Sequence, residues 1–155
     1  MIETKSSNIH GKGVFATEKI PEGKMILEID DSHIIGDPTA VPEAEHNYID
    51  SFDGNDILWM EPERYINHSC EPNVYLKTID GKRKVLAMKD IQAGDELFFD
   101  YRIGGYGEFT WECHCGASSC SKLCHIDFFK LPSEKQREYL PYLDEWFLKK
   151  FKDRF

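Results

Sequence analysis

Tyr65-Ile66-Asn67-His68-Ser69-Cys70-Glu71-Pro72-Asn73 is the stretch on which the reading of this chain turns. An Asn side chain offers both a donor and an acceptor, and a Cys can ligate a metal. Working outward, Val74-Tyr75-Leu76-Lys77-Thr78-Ile79, then Asp80-Gly81, then Arg83 to Met88 predicts a β-hairpin. Ile91-Gln92-Ala93-Gly94-Asp95 is a turn into a strand, Glu96-Leu97-Phe98-Phe99-Asp100-Tyr101. Gly104, Gly105 and Gly107 then suggest a flexible connection to four clustered cysteines, Cys113, Cys115, Cys120 and Cys124.

Toward the N-terminus, Tyr48 to Trp59 reads as two short strands around Asp53-Gly54-Asn55-Asp56. Ile35 to Ala44, with Gly36, Pro38 and Pro42, reads as loop or a short irregular helix. Met25 to Ile29 and Gly13 to Ala16 are strands separated by the turn Ile20-Pro21-Glu22-Gly23-Lys24. The end differs. Ser133 is a candidate cap for a helix after Pro132, with Glu134 in its first turn. Pro141 suits the first turn of a second helix, whose Trp146, Phe147 and Phe151 form an apolar side packed on the domain. The expected class is mainly β, with a helical C-terminal appendage.

The chain of 155 residues fits one domain, and 41% hydrophobic residues argue against general disorder. No apolar run approaches the roughly 20 residues of a membrane helix. The first residues lack the charged-then-apolar pattern of a signal peptide. The expectation is a soluble, intracellular protein, nuclear if the source is eukaryotic and cytoplasmic if it is prokaryotic. Five cysteines, four of them clustered, favour metal over a disulfide framework.

The net charge of −9 is unevenly placed. Met25 to Glu63 contains no Lys or Arg but eleven acids: Glu28, Asp30, Asp31, Asp37, Glu43, Glu45, Asp50, Asp53, Asp56, Glu61 and Glu63. Elsewhere 17 acids face 19 bases. This distribution argues against direct nucleic-acid binding and is compatible with a cationic partner.

Four separated segments together resemble the SET-domain protein lysine methyltransferases. Gly11-Lys12-Gly13-Val14-Phe15 resembles the first motif of that family, and Asn67 to Asn73 its Asn-His-Ser-Cys-x-Pro-Asn signature. Glu96 to Tyr101 resembles the second signature, and Cys113, Cys115 and Cys120 the post-SET motif. The resemblance covers about residues 8 to 125. It implies small curved sheets of the β-clip kind, with a pseudoknot in which Asp100-Tyr101 threads near Asn67-His68. The implied division is a SET domain over 1–112, a post-SET zinc motif over 113–125 and C-terminal helices over 126–155.

The resemblance also implies roles. S-Adenosylmethionine is the methyl donor, and a lysine of a protein substrate, such as a basic histone tail, is the acceptor. The amine must be neutral to attack, yet lysine titrates near 10.4 in water. An aromatic channel disfavours the ammonium by desolvation. Tyr101 matches the catalytic tyrosine, and Tyr48 resembles the tyrosine that bonds the substrate amine. Phe99 occupies the position where Phe accompanies di- or trimethylation and Tyr accompanies monomethylation. Gly11, Lys12, Gly13, Asn67 and His68 match cofactor-holding positions, His68 with its ring near the adenine. Trp111 and Leu123 are further candidates for walls of the cofactor or lysine channel.

Spacing alone offers Cys113, Cys115, Cys120 and Cys124 as a zinc set, with His114 and His125 as poorer donors. The resemblance implies Cys70, Cys113, Cys115 and Cys120 instead. No cysteine-rich segment precedes the first motif, and no targeting or reader domain is evident. Substrate choice is therefore expected to lie in the catalytic domain or a partner, and the oligomeric state is left open. The alternative function is a non-catalytic, zinc-stabilised interaction module.

Overall fold

The computed structural model describes residues 1–155. Two antiparallel hairpins make the frame. In the first, β1 (Ile2–Ser6) pairs with β2 (Lys12–Ala16) from Ile2–Ala16 to Ser6–Lys12. In the second, β8 (Val74–Ile79) pairs with β9 (Lys82–Ala87), as the sequence predicts. Asp80 and Gly81 both take positive φ, which a two-residue turn with the strands' own twist requires. The strand β3 (Met25–Glu28) adds to the other edge of β9.

A third sheet has the order β4-β6-β5. It contains β4 (Ile34–Ile35), β5 (Ile49–Phe52) and β6 (Asn55–Leu58). Asp53 and Gly54 turn the β5–β6 hairpin, again with positive φ. Between β4 and β5 the chain forms two 3-10 helices, Pro38–Ala40 and Glu43–Tyr48. Asp37 caps the first by accepting from the backbone N–H of Thr39.

The expected strand over 96–101 is broken up. Glu96 bridges Phe15, the Leu97 N–H donates to Val14 O, and only β10 (Phe98–Phe99) is regular. Glu96 and Leu97 lie against β2 while Phe98 and Phe99 lie against β7, so no long ladder forms. Strand β10 runs parallel to β7 (Asn67–His68), with Phe98 opposite Asn67 and Phe99 opposite His68. Parallel neighbours need a long crossover. That crossover is the β8–β9 hairpin, and it returns Asp100-Tyr101 to the side of Asn67-His68.

The main core gathers Val14, Ile20, Ile66, Val74, Val85, Ile91, Leu97 and Phe99. A second core holds Phe128, Leu131, Tyr139, Leu143 and Phe147 of the C-terminal part. Burial of such side chains stabilises by roughly 1.5–3 kcal/mol each. Polar contacts also fasten the appendage. The Tyr139 hydroxyl donates to Asp100 Oδ2 at 2.9 Å, Lys77 Nζ donates to Leu143 O at 2.9 Å, and Asp144 accepts from the Thr78 N–H and hydroxyl.

Three expectations need correction. Ser133 does not cap: α1 (Ser133–Tyr139) has Pro132 at the capping position and no side-chain cap. Pro141 lies in a separate 3-10 turn, Leu140–Tyr142, and α2 (Glu145–Lys150) begins later. Gly105 is no flexible link. A Cβ there would stand 2.3 Å from Ile126 O and 2.7 Å from Tyr101 O, so the glycine lets two backbones close against each other.

Candidate active site and metal centre

The first group of site residues forms a cleft of about 570 Å³. Tyr48, Trp59, Ile66, Phe99 and Tyr101 line one end of it. The register of β10 on β7 places Phe99 in the core, and Trp59 meets it edge-on at 6.1 Å between ring centroids. Tyr48 ends the 3-10 helix before β5, is half-buried, and carries the Arg64 guanidinium 4.1 Å over its ring.

Tyr101 follows β10. Its hydroxyl donates to Ile66 O at 3.0 Å. Burial of that hydroxyl, with Tyr48 beside it, pushes its pKa up to about 12, although the residue as a whole is 44% exposed. The hydroxyl stays neutral at physiological pH. Its proton is committed to Ile66, so its lone pairs are what it offers the cleft. Tyr48, Phe99 and Tyr101, separated in the sequence, are thus brought to one place.

The glycine loop sits behind this cleft. Ile66 has extended backbone, so it and Asn67 point to opposite sides. Ile66 lines the cleft, while Asn67 Nδ2 donates to Lys12 O at 2.9 Å, His10 O at 3.3 Å and Glu96 Oε1 at 2.9 Å. The Asn67 amide nitrogen therefore holds the loop, which leaves its carbonyl oxygen as the free acceptor. Gly13 has no room for a side chain, since a Cβ would lie 2.1 Å from Glu96 Oε1. Gly11 takes φ +49° with open space where a Cβ would be. This open glycine face, an amide oxygen and backbone groups fit a polar, flexible cofactor tail. Lys12 Nζ is turned away, 3.5 Å from Glu61.

His68 stands between Trp111 and the cysteines. Its ring is buried on the cysteine side, edge-on to Trp111 at 5.0 Å. Nδ1 accepts the Tyr101 N–H at 3.2 Å, so the proton of the neutral ring is on Nε2. Nε2 lies 3.6 Å from Cys70 Sγ and 3.8 Å from Cys124 Sγ. Burial lowers the His68 pKa to about 4, so the ring is neutral. Leu123 in β12 (Leu123–His125) is 54% exposed, and Trp111 in β11 (Thr110–Glu112) is half-buried and packs against His68 and Tyr101.

All five thiols are free and meet in one cluster. Two sets of four are close enough for a metal: Cys70, Cys113, Cys115, Cys120, and His68, Cys70, Cys113, Cys124. The local set of Cys113, Cys115, Cys120 and Cys124 is not among them. Cys70 and Cys113 Sγ are 3.9 Å apart, close to the edge of about 3.8 Å that follows from a tetrahedral Zn–S length of 2.3 Å.

Backbone donors separate the two sets. Cys70 Sγ accepts from the Ser121 N–H, Cys115 Sγ from the Cys70 N–H and Cys120 Sγ from the Lys122 N–H, each at 3.5 Å. Such donors stabilise thiolates. Burial opposes ionisation of Cys115, but the N–H groups of Cys70 and Ala117 bring its pKa down to about 7. Cys124 is completely buried, and burial pushes its thiol up to about 11. His68 cannot ligate through a protonated Nε2; it donates to sulfur instead. The first set fits tetrahedral zinc.

Sequence reasoning missed three further groups at this site. Asp100 and Arg102 form a buried two-point ion pair at 2.8 and 2.6 Å, and Arg102 Nη1 also donates to Ser121 Oγ at 2.8 Å. Glu96 braces the glycine loop through Asn67 and Ser7. Trp59 walls Phe99. The adjacency of Asp100 and Arg102 to Tyr101 was a visible signal; Trp59 had none, because its contact is set by the β6 register.

The acidic segment is largely occupied by internal partners. Arg83, 3% exposed, is held by Asp31 and Asp50. Glu28 pairs with Lys82, Glu45 with Arg64 and Glu61 with Lys12. Glu63 is buried, and that burial raises its pKa.

Comparison with known proteins identifies the family. The SET domain family model matches residues 11–102. The H3 lysine-4 specific histone-lysine N-methyltransferase of Schizosaccharomyces pombe is 34% identical over 131 residues, covering 74% of this chain and 14% of that protein. Histone-lysine N-methyltransferase trithorax of Drosophila virilis is 32% identical over 133 residues, covering 75% of this chain and 3% of that protein. The chain thus spans a small part of the relatives it matches.

Among solved structures, KRYPTONITE in complex with mCHG DNA and SAH aligns at TM-score 0.61 and 26% identity, covering 79% of this chain and 28% of that one. The methyltransferase domain of human SETMAR aligns at TM-score 0.63 and 23% identity, covering 81% and 58%, a likeness of fold. With its parallel Asn67–Phe98 pairing, its glycine cradle and its clustered cysteines, the chain belongs to the SET-domain family.

Proposed function

We propose that this chain transfers methyl groups from S-adenosylmethionine to lysine side chains of a basic, histone-like protein, and that it adds more than one. The observation that carries this is the convergence of Tyr48, Phe99 and Tyr101 on one end of a cleft, with the glycine cradle on the far side of Ile66. Bound S-adenosylmethionine supplies an activated methyl group on a sulfonium. The chain's own residues do the rest. Tyr48, Trp59, Phe99 and Tyr101 exclude water, which disfavours the ammonium and favours the attacking neutral amine. The free lone pairs of the Tyr101 hydroxyl would accept from the polarised methyl group. Gly11, Gly13 and Asn67 orient the donor for in-line displacement. Cys70, Cys113, Cys115 and Cys120 would hold a structural zinc that ties the wall carrying Trp111 to β7. A chromatin substrate would place a eukaryotic form in the nucleus. No helix is long and apolar enough to cross a membrane.

Product multiplicity tests the reading. Phe99 puts no hydroxyl beside Trp59, so no anchored water opposes rotation of a methylated amine. Wild-type protein is expected to carry lysine peptides to the di- or trimethyl state, and Phe99→Tyr to stop mainly at monomethyl-lysine. Mass spectrometry with unchanged product states would remove Phe99 from that role, and no methyl-lysine with any protein would overturn the enzyme reading.

Charge adds a second expectation. Although many acids of 25–63 are paired, the stretch remains net negative, and Asp50 lines the cleft. For a basic peptide, kcat/KM is expected to fall at least about threefold between low salt and about 0.3 M salt, through screening of the encounter. A flat response would show that the acids serve folding alone.

A further inference from the structure

The cleft that holds Tyr48 and Tyr101 continues past the lysine end. Its far wall is built by the C-terminal appendage and the loop before the cysteines: Tyr106, Tyr142 and Trp146. Trp146 is 39% exposed and Tyr106 45%, and their rings meet at 6.1 Å. Lys150 and Phe151 cover part of the Tyr106 ring, and the exposed remainder of the two rings is an apolar patch on the cleft wall. The main core does not need them, because the buried Phe147 already anchors α2. The whole cleft also exceeds what one lysine side chain fills. The surface is continuous with the proposed reaction site, so the segment that delivers the lysine must pass it.

Charge selects the occupant. Lys150 Nζ lies 5.0 Å over the Tyr106 ring and already supplies that ring with a cation. A substrate Arg or Lys would meet this ammonium at close range. At the other end of the cleft stand Asp50 and Glu63, with Arg64 and Arg83 as their neighbours. Asp144 also lines the cleft near Trp146, but its carboxylate accepts from the Thr78 N–H and hydroxyl, so Lys150 is the charge set directly against the Tyr106 ring.

We propose that Tyr106 and Trp146 form a specificity subsite that takes an apolar side chain, aliphatic or aromatic, flanking the target lysine. This deepens the lysine-methyltransferase reading and rests on it. The subsite acts in binding and does not touch the reacting atoms.

The test uses fluorescent lysine-centred peptides in which each flanking position is varied in turn among Leu, Phe, Ala and Arg. Binding is read by anisotropy on the zinc-loaded chain, with methyl transfer followed separately. At one position Leu or Phe should bind about tenfold tighter than Ala, as burial of one apolar side chain implies, and Arg should bind no better than Ala. Trp146→Ala should reduce that preference to about twofold or less. Lys150→Glu, a surface change that leaves the core intact, should turn the same position toward Arg. Wild-type binding with no preference at any position would overturn the subsite. So would a Trp146→Ala loss spread equally over all peptides, or a Lys150→Glu protein that still rejects Arg. Position-dependent binding without methyl transfer would keep the subsite and sink the enzyme reading, so the two failures are distinguishable.

Discussion

Tyr101→Phe is expected to lower kcat for lysine methylation about a hundredfold or more, the scale of removing one preorganised polar contact to a transition state. The hydroxyl is poised for that contact and for little else. Its proton is fixed on Ile66 O at 3.0 Å, and its pKa of about 12 keeps it neutral. Only its lone pairs are left to meet positive charge on the methyl carbon. The phenyl ring stays in the variant, so the channel wall and cofactor affinity should survive, with the latter changed by about twofold or less. Loss of the hydroxyl also unpairs the Ile66 carbonyl, which costs stability of about 1–3 kcal/mol if no water replaces it. Single-turnover rates, equilibrium binding of S-adenosylmethionine and a melting curve separate these effects. Equal rates in the two proteins would remove Tyr101 from the chemistry.

The second large effect concerns the metal. Cys70→Ser is expected to lose the bound zinc and to melt at markedly lower temperature, whereas Cys124→Ser should keep the zinc. Structural zinc contributes apparent binding free energies of about 10–16 kcal/mol in small domains, so loss of one ligand is felt by the whole fold. Cys70 joins the tail cysteines to the β7 motif, and its sulfur accepts from the Ser121 N–H and faces His68 Nε2. The same His68 ring accepts the Tyr101 N–H, so Cys70, His68 and Tyr101 form one hydrogen-bonded chain. Cys124 lies equally near Cys70, at 3.9 Å, but no backbone N–H donates to its sulfur. Zinc content by mass spectrometry of the native proteins decides. Loss in both variants would give the site to His68, Cys70, Cys113 and Cys124.

The hairpins were legible because their signals are local. Alternating apolar residues flank Asp80-Gly81 and Asp53-Gly54, and both turns need the positive φ those pairs adopt. Other elements were not legible. Strand β1 carries Glu3, Thr4 and Lys5 on an exposed ribbon, so it shows little hydrophobic periodicity, and β11 and β12 are three residues each. Residues 96–101 looked like one strand because composition does not record that Glu96, Leu97 and Phe98 take three different partners. Within the site, motif positions pointed to Tyr101 and Phe99, which line the cleft, and to Asn67, which holds the glycine loop. The orientation of His68 toward sulfur could not, since a ring's direction follows from which N–H reaches it. Nor could the pairing of the acidic stretch: Asp31 and Asp50 meet Arg83, which lies on a strand far along the chain.

The most direct measurement is methyl transfer itself. The zinc-loaded chain is incubated with methyl-labelled S-adenosylmethionine and a panel of histones, and the proteins are then hydrolysed to amino acids. The account predicts label in di- or trimethyl-lysine and its near absence with Tyr101→Phe. Zinc-loaded, cofactor-binding protein that leaves every lysine unlabelled would contradict it.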